Sequence, residues 1–283
     1  MPNNFNSNLK KSHYFNTQNE PKLNYSYCAF LDVLGFSAMV NQDPQGIILK
    51  DFYKIFNKCT EELKDEEKYA TSYFKQFTDN ILLAQPHFEL EDDAYFGFTL
   101  MNIRKYQFYM AINGYFIRGG FTCDNLFIDD NLIYGPALLE AYHLESQKAE
   151  MPIVILSDTV KNHVNQYTKY FSESICPTRK SILILDNETY FVNYLSEITE
   201  LFSFDVAFEF IYRCLNDHKI QIENNLQKFH QTSLLANDKI YEKYYFIAQY
   251  HNYYLTHFLP HYDIQSLFIQ NIEPTSRISH LYK

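Results

Sequence analysis

The stretch from Tyr27 to Val40, YCAFLDVLGFSAMV, limits what this chain can fold into more than any other. From Tyr25 to Leu31 apolar residues fall at odd and even positions alike, so a strand here must hide both faces. Such a strand belongs in the middle of a sheet covered on each side. Gly35 then lets the chain turn, and FSAMVNQ opens a helix. One carboxylate, Asp32, stands near the strand's end, where burial costs free energy unless something offsets it. Asp32 could cap the following helix, pair with an arginine, or hold a cation.

The remaining pattern extends this into a layered α/β domain. After the breaker DPQG, IILKDFYKIFNKCTEEL places Ile48, Phe52, Ile55, Phe56 and Cys59 on one helix face. TSYFKQF and ILLAQP read as two short strands joined by Thr78-Asp79-Asn80, where Asp and Asn tolerate tight-turn backbone angles. DDAYFGFTLMNIRKYQFYMAI predicts a helix and YFIRGGFTCDNLF a strand interrupted by glycine. A helix over PALLEAYHLESQKAE begins at Pro136, IVIL is a buried strand, and Ser157-Asp158 cap the helix of TVKNHVNQYTKYF. The order strand, helix, helix, strand, strand, helix, strand, helix, strand is that of a ferredoxin-like α/β sandwich with one additional helix. A last hairpin centres on Asp186-Asn187, and two long helical stretches follow as a helical hairpin. The expected division is a flexible tail over 1–24, a sandwich domain over 25–195 and a helical C-terminal extension over 196–283.

Composition narrows the function classes. A formal net charge of -10 without a basic cluster argues against nucleic acid as a partner. Five scattered cysteines form no CxxC pair, which fits reduced thiols in a cytoplasm better than zinc or redox exchange. The polar, Asn-rich start lacks the apolar run of a secretory signal, and no segment reaches the roughly 20 apolar residues of a membrane span. With 25 Tyr and 25 Phe, the aromatic surface is large for one core, and part of it could serve a subunit interface.

Asp32 and Asp79 take on more meaning together than apart. The end of the first strand and the tip of the hairpin are neighbours in a βααββ unit, so two carboxylates can reach one cation. Their hard oxygens suit Mg2+ or Mn2+, which keep positions open for phosphate oxygens. Gly35 allows a phosphate close to the main chain, and the N-H groups at Phe36-Ser37 face it.

On these residues the chain resembles the class III nucleotidyl cyclases: FLDVLGFS is similar to their first metal motif, and KQFTDN to their second. FIRGGFT, IYGPALLEAYHLESQKAEMPIVILSD and the KYYFIAQYHN region are most similar to the pyrimidine cyclases of bacterial Pycsar antiphage systems. The resemblance implies that Asp32 and Asp79 bind two Mn2+ or Mg2+ ions, with the main-chain carbonyl of Val33 completing one shell. It implies that Leu34, Gly35, Phe36 and Ser37 line the triphosphate, and that Lys75 reads the base from the opposite subunit of a head-to-tail homodimer. The implied reaction is attack of the ribose 3'-hydroxyl on the α-phosphate of a nucleoside triphosphate, giving a cyclic nucleotide second messenger and pyrophosphate. A separate effector would read that messenger during phage infection.

Two departures from the family pattern bear on that expectation. Where many members carry a charge-stabilising Asn and Arg after the glycine matching Gly135, this chain has Leu139 and His143; a protonated His143, Arg104 or Arg118 could supply the charge. Where adenine-specific members carry an Asp, this chain has Leu132, and Lys75 can only donate, which favours UTP. CTP would instead draw on an acceptor such as Asp130 or Asn131. A nucleotide-binding module without turnover and an adenylyl cyclase are the alternatives. His257 and His261 are four apart, but Pro260 intervenes and argues against a helical metal pair.

Overall fold

A computed structural model describes residues 13–67, 72–87, 92–170, 177–203, 208–230 and 238–281. The first strand, β1 (Asn24–Val33), is the centre of its sheet region, as its two-sided apolar pattern requires. It pairs antiparallel with β3 (Asn80–Pro86) on one side and β4 (Ile117–Ile128) on the other. With β2 (Tyr73–Phe77) beside β3, the order β2-β3-β1-β4 is that of the expected sandwich. The sheet then continues through β6 (Val154–Leu156), parallel to β4, and through β8 (Thr189–Val192), β7 (Ile182–Leu185) and β9 (Ile278–His280); the two-residue β5 (Ile133–Tyr134) folds back on β4.

Helices α1 (Phe36–Asn41), α2 (Ile47–Glu67) and α3 (Asp92–Ile112) fall where their sequence patterns predict them. Phe52, Phe56 and Cys59 of α2 pack with Leu31, Val33, Ile81 and Phe121 of the sheet and with Phe96 and Leu100 of α3. The opposite face of the sheet carries α4 (Pro136–His143), whose Ala137 and Ala141 lie on Cys28, Leu82 and Leu126. Contact there is very close, because a Cβ on Gly120 would meet the Ala141 carbonyl at 2.4 Å. The α5 helix (Asp158–Tyr170) begins where Ser157 accepts from the Val160 N-H at 3.3 Å.

Three expectations differ from what is found. The helix from Pro136 leaves α geometry at Leu144–Lys148, a π-turn closed by the Ala149 N-H on the Leu144 carbonyl at 2.8 Å. Such turns concentrate at functional sites because they redirect side chains. In the β2-β3 hairpin, neither Asp79 nor Asn80 takes the left-handed conformation; Thr78 does, at φ 53°. Finally, the N-terminal segment from His13 is anchored: Tyr14 is buried, hydrogen-bonded to Ser26 at 2.8 Å and edge-on to Tyr73. Residues 1–12 of the expected tail lie outside the described residues.

Beyond β8, α6 having preceded it at Pro177–Ser181, the chain forms α7 (Glu197–Ser203), α8 (Phe208–His230) and α9 (Asp238–Phe258). The last two pack together on the sandwich, so the aromatic stripe is core: Tyr244 meets Phe116, and Tyr250 meets Phe191 and Tyr194. The extension is not wholly helical, since β9 returns to the sheet beside β7. The four cysteines among the described residues are buried. No helix among the described residues is long and apolar enough to cross a membrane.

Candidate active site

The site lies where β1 ends. Asp32 is opposite Arg118 in the β1-β4 register, and both project from the face that carries α4, since Arg118 shares its side of β4 with Gly120. Arg118 Nε donates to Asp32 Oδ2 at 3.1 Å, and its Nη2 lies 2.7 Å from Glu145 Oε1. Glu145 is buried in the π-turn, so the departure from α geometry brings this second carboxylate onto the same guanidinium.

Asp79 arrives from the other side. Leu31 pairs with Ile81, so the β2-β3 turn is placed beside the end of β1. Thr78 Oγ1 donates to Asp79 Oδ1 at 2.9 Å and holds the carboxylate in place. The Asp79 carboxyl is pushed up to about 6, first by burial and then by the Asp32 carboxylate, against which its own hydrogen bonds act. Glu145 is also raised, by burial first, with Arg118 opposing and Asp32 and Asp79 adding to the shift. The charge of Asp32 acts on both other acids and raises each of them. Two carboxylates, Asp32 and Glu145, meet the Arg118 guanidinium, and Asp79 adds a third negative charge close enough to interact with both acids.

The residues after Asp32 have the geometry that their sequence predicts. Val33 ends β1, the Leu34 N-H donates to the Phe116 carbonyl at 2.8 Å, and Gly35 turns at φ 79°. Only glycine adopts that conformation without strain. Phe36 and Ser37 then begin α1, with the Phe36 ring tilted against Phe52 at 5.4 Å between centres. Lys75 is on β2 and pairs with exposed Asp130 at 3.3 Å, so two of the candidate base-reading residues adjoin each other.

Other candidates separate from the site. Arg104 is buried and committed elsewhere, with Nε 2.8 Å from Glu197 Oε2 and Nη1 2.8 Å from Ser181 Oγ. Leu139 and His143 point outward from α4, Leu139 being 69% exposed. His257 packs on Tyr253 and His280, and α9 ends at Phe258, before His261. Sequence reasoning did not find Glu145, because nothing in the spacing of HLESQ announces a π-turn. Arg118 was legible as a candidate, but its pairing with Asp32 required the β1-β4 register.

Among the described residues no group of three or more His, Cys, Asp or Glu side chains is placed to hold a metal ion. Asp32 and Asp79 fit a cation as a partial shell, with hard oxygens that a phosphate ligand would complete.

No family model matches this chain, and no curated protein matches it. Among solved structures, it is similar to a bacterial light-regulated adenylyl cyclase at 19% identity, covering 65% of this chain and 98% of that one, with a TM-score of 0.42. It is also similar to the guanylate cyclase domain of RhGC from Catenaria anguillulae in complex with GTP, at 16% identity, covering 60% and 96%, with a TM-score of 0.42. A rhodopsin-guanylyl cyclase of converted specificity in complex with ATPalphaS matches at 16% identity, covering 60% and 96%, with a TM-score of 0.43.

Proposed function

We propose that this chain is a nucleotide cyclase acting on a pyrimidine nucleoside triphosphate, UTP above CTP, and releasing a 3',5'-cyclic nucleotide and pyrophosphate. The observation that carries this reading is that Asp32 and Asp79, 47 positions apart by their numbers, are close enough for the Asp32 charge to act on Asp79, while Asp32 pairs with Arg118.

Asp32 and Asp79, with the Val33 carbonyl, would hold two Mn2+ or Mg2+ ions. Those ions supply acidification of the 3'-hydroxyl and neutralisation of the triphosphate. The protein's own part is position and charge. Gly35 gives the loop from Leu34 to Ser37 its turn, so that the main-chain N-H groups of Phe36 and Ser37 would line the phosphates. Arg118 presents a guanidinium to the same space and is the group that offsets charge developing on the phosphate, in place of the donors that Leu139 and His143 do not provide. Glu145 keeps that guanidinium aligned when Asp32 turns to a cation.

For the base, Lys75 donates and Asp130 accepts, a pair that matches a uracil carbonyl and its ring N-H. Cytosine would use the same two groups with its own carbonyl and amino group. Exposed large apolar side chains stand before and on β5 (Leu132, Tyr134), on α4 (Leu139, Tyr142) and at the end of β2 (Phe77). That apolar surface supports a head-to-tail homodimer in which Lys75 serves the partner's site. The product would act on a separate effector in a cytoplasmic phage response.

Incubating the purified chain with each NTP and Mn2+, then identifying the product by chromatography, tests the proposal. A cyclic pyrimidine nucleotide with matching pyrophosphate is expected; pyrophosphate release from none of the four NTPs would overturn it. The outward direction of Leu139 favours a second reading, a nucleotide-binding module that is stabilised by NTP and makes no product.

A further inference from the structure

Helix α9 of the C-terminal hairpin reaches the floor of the candidate site. Tyr244 packs edge-on against Phe116 at 5.7 Å between ring centres, and Phe116 is both the acceptor for the Leu34 N-H and the residue two before Arg118. Leu34 and Leu144, which adjoin Val33 and Glu145 in the chain, pack on the same core cluster as Tyr244 and Ile247. The residue before Tyr244 is Lys243. It is half-buried, and its ammonium is in electrostatic range of Arg118, Asp32, Glu150 and Glu145. It makes no ion pair within 4 Å among the described residues.

We propose that Lys243 is a binding residue of the candidate site: α9 delivers its ammonium to the polyphosphate end of the substrate, so the C-terminal hairpin completes a site begun by the sandwich.

This inference rests on the proposed function and adds to it a residue from outside the sandwich. The charges explain the need. Arg118 is shared between Asp32, to which its Nε donates, and Glu145, which it meets as an ion pair at 2.7 Å. Lys243 is a cation whose charge acts on the same groups and whose flexible four-carbon stem suits a point contact with a mobile phosphate oxygen. Its partial burial keeps the ammonium less hydrated, so a tetra-anionic ligand gains more from it than from an exposed lysine.

The test uses the full chain, inorganic tripolyphosphate as probe, and calorimetry in the presence and absence of Mn2+. Lys243→Met keeps the stem and removes the charge. It is expected to weaken tripolyphosphate binding about tenfold or more, as loss of a charge-assisted hydrogen bond does. Lys243→Arg should restore most of that affinity, and Lys239→Met, an exposed change one turn earlier, should leave it unaltered. The sign of a second readout separates a binding role from a structural one: without the ammonium beside Asp32, Mn2+ alone should bind as tightly as before or more tightly. If the wild-type chain binds tripolyphosphate and Lys243→Met binds it equally well, the role of Lys243 is overturned while the cyclase reading stands. If the wild type binds neither Mn2+ nor tripolyphosphate, both fall. A matching loss of Mn2+ affinity in Lys243→Met would show damage to the fold, and Lys243→Gln carrying the same joint loss would overturn the role.

Discussion

Arg118 stands directly across from Asp32 on the neighbouring antiparallel strand, and its Nε donates to Oδ2 at 3.1 Å. An acid that a cation must claim is therefore already engaged, by a group that would itself meet the substrate's phosphates. Binding of a metal and a nucleotide would exchange partners within one cluster and leave no charge unmatched.

Asp79 gives this cluster a pH dependence. Its folded-state value of about 6 is above its ordinary value of 3.8, so its contribution to stability is fully present below pH 3.8 and is lost as pH rises through 6. A cation that needs the ionised form competes with that proton. Mn2+ affinity, followed by calorimetry, should fall by about tenfold for each pH unit below 6 and level off above it. A flat profile between pH 5 and 7 would count against Asp79 as a ligand.

Removing the neighbouring charge should relax Asp79. In Asp32→Asn the carboxyl of Asp79 is expected to titrate lower than in the wild type, as read by carbon-detected NMR. Pyrophosphate release from NTP should fall by about a thousandfold or more, by comparison with removal of other groups that stabilise a transition state. Activity retained in this variant would remove Asp32 from the chemistry.

The Arg104-Glu197 pair should matter to folding alone. Both side chains are buried, so Arg104→Met leaves a carboxylate without its cation and is expected to cost about 3–5 kcal/mol in denaturant unfolding. The double change Arg104→Met with Glu197→Met should recover most of that loss. A catalytic defect in a fully stable single variant would contradict this assignment.

Leu139 tests the proposed homodimer. It is 69% exposed in the single chain, so Leu139→Glu should leave thermal stability within about 0.5 kcal/mol. Sedimentation should show a monomer where the wild type self-associates, with turnover lost in parallel. A wild-type chain that sediments as a monomer while turning over NTP would argue against a shared site.

Local pattern carried much of the architecture. The two-sided apolar run before Asp32 marked a central strand, and the periodicity of α2 and α3 and the Pro136 and Ser157 signals set helix faces and starts, because these depend on neighbours a few residues away. The hairpin that carries Asp79 was equally legible, although the strained turn residue proved to be Thr78. What sequence could not supply was the company these acids keep. Glu145 enters through a π-turn whose first residue, Leu144, packs close on Gly120, Arg118 through strand register, and Lys243 through a helix that begins more than two hundred residues after Asp32. Propensity and periodicity are properties of a segment, whereas the field at a carboxylate is set by whichever charges the packed fold brings near it, and only the tertiary structure decides that.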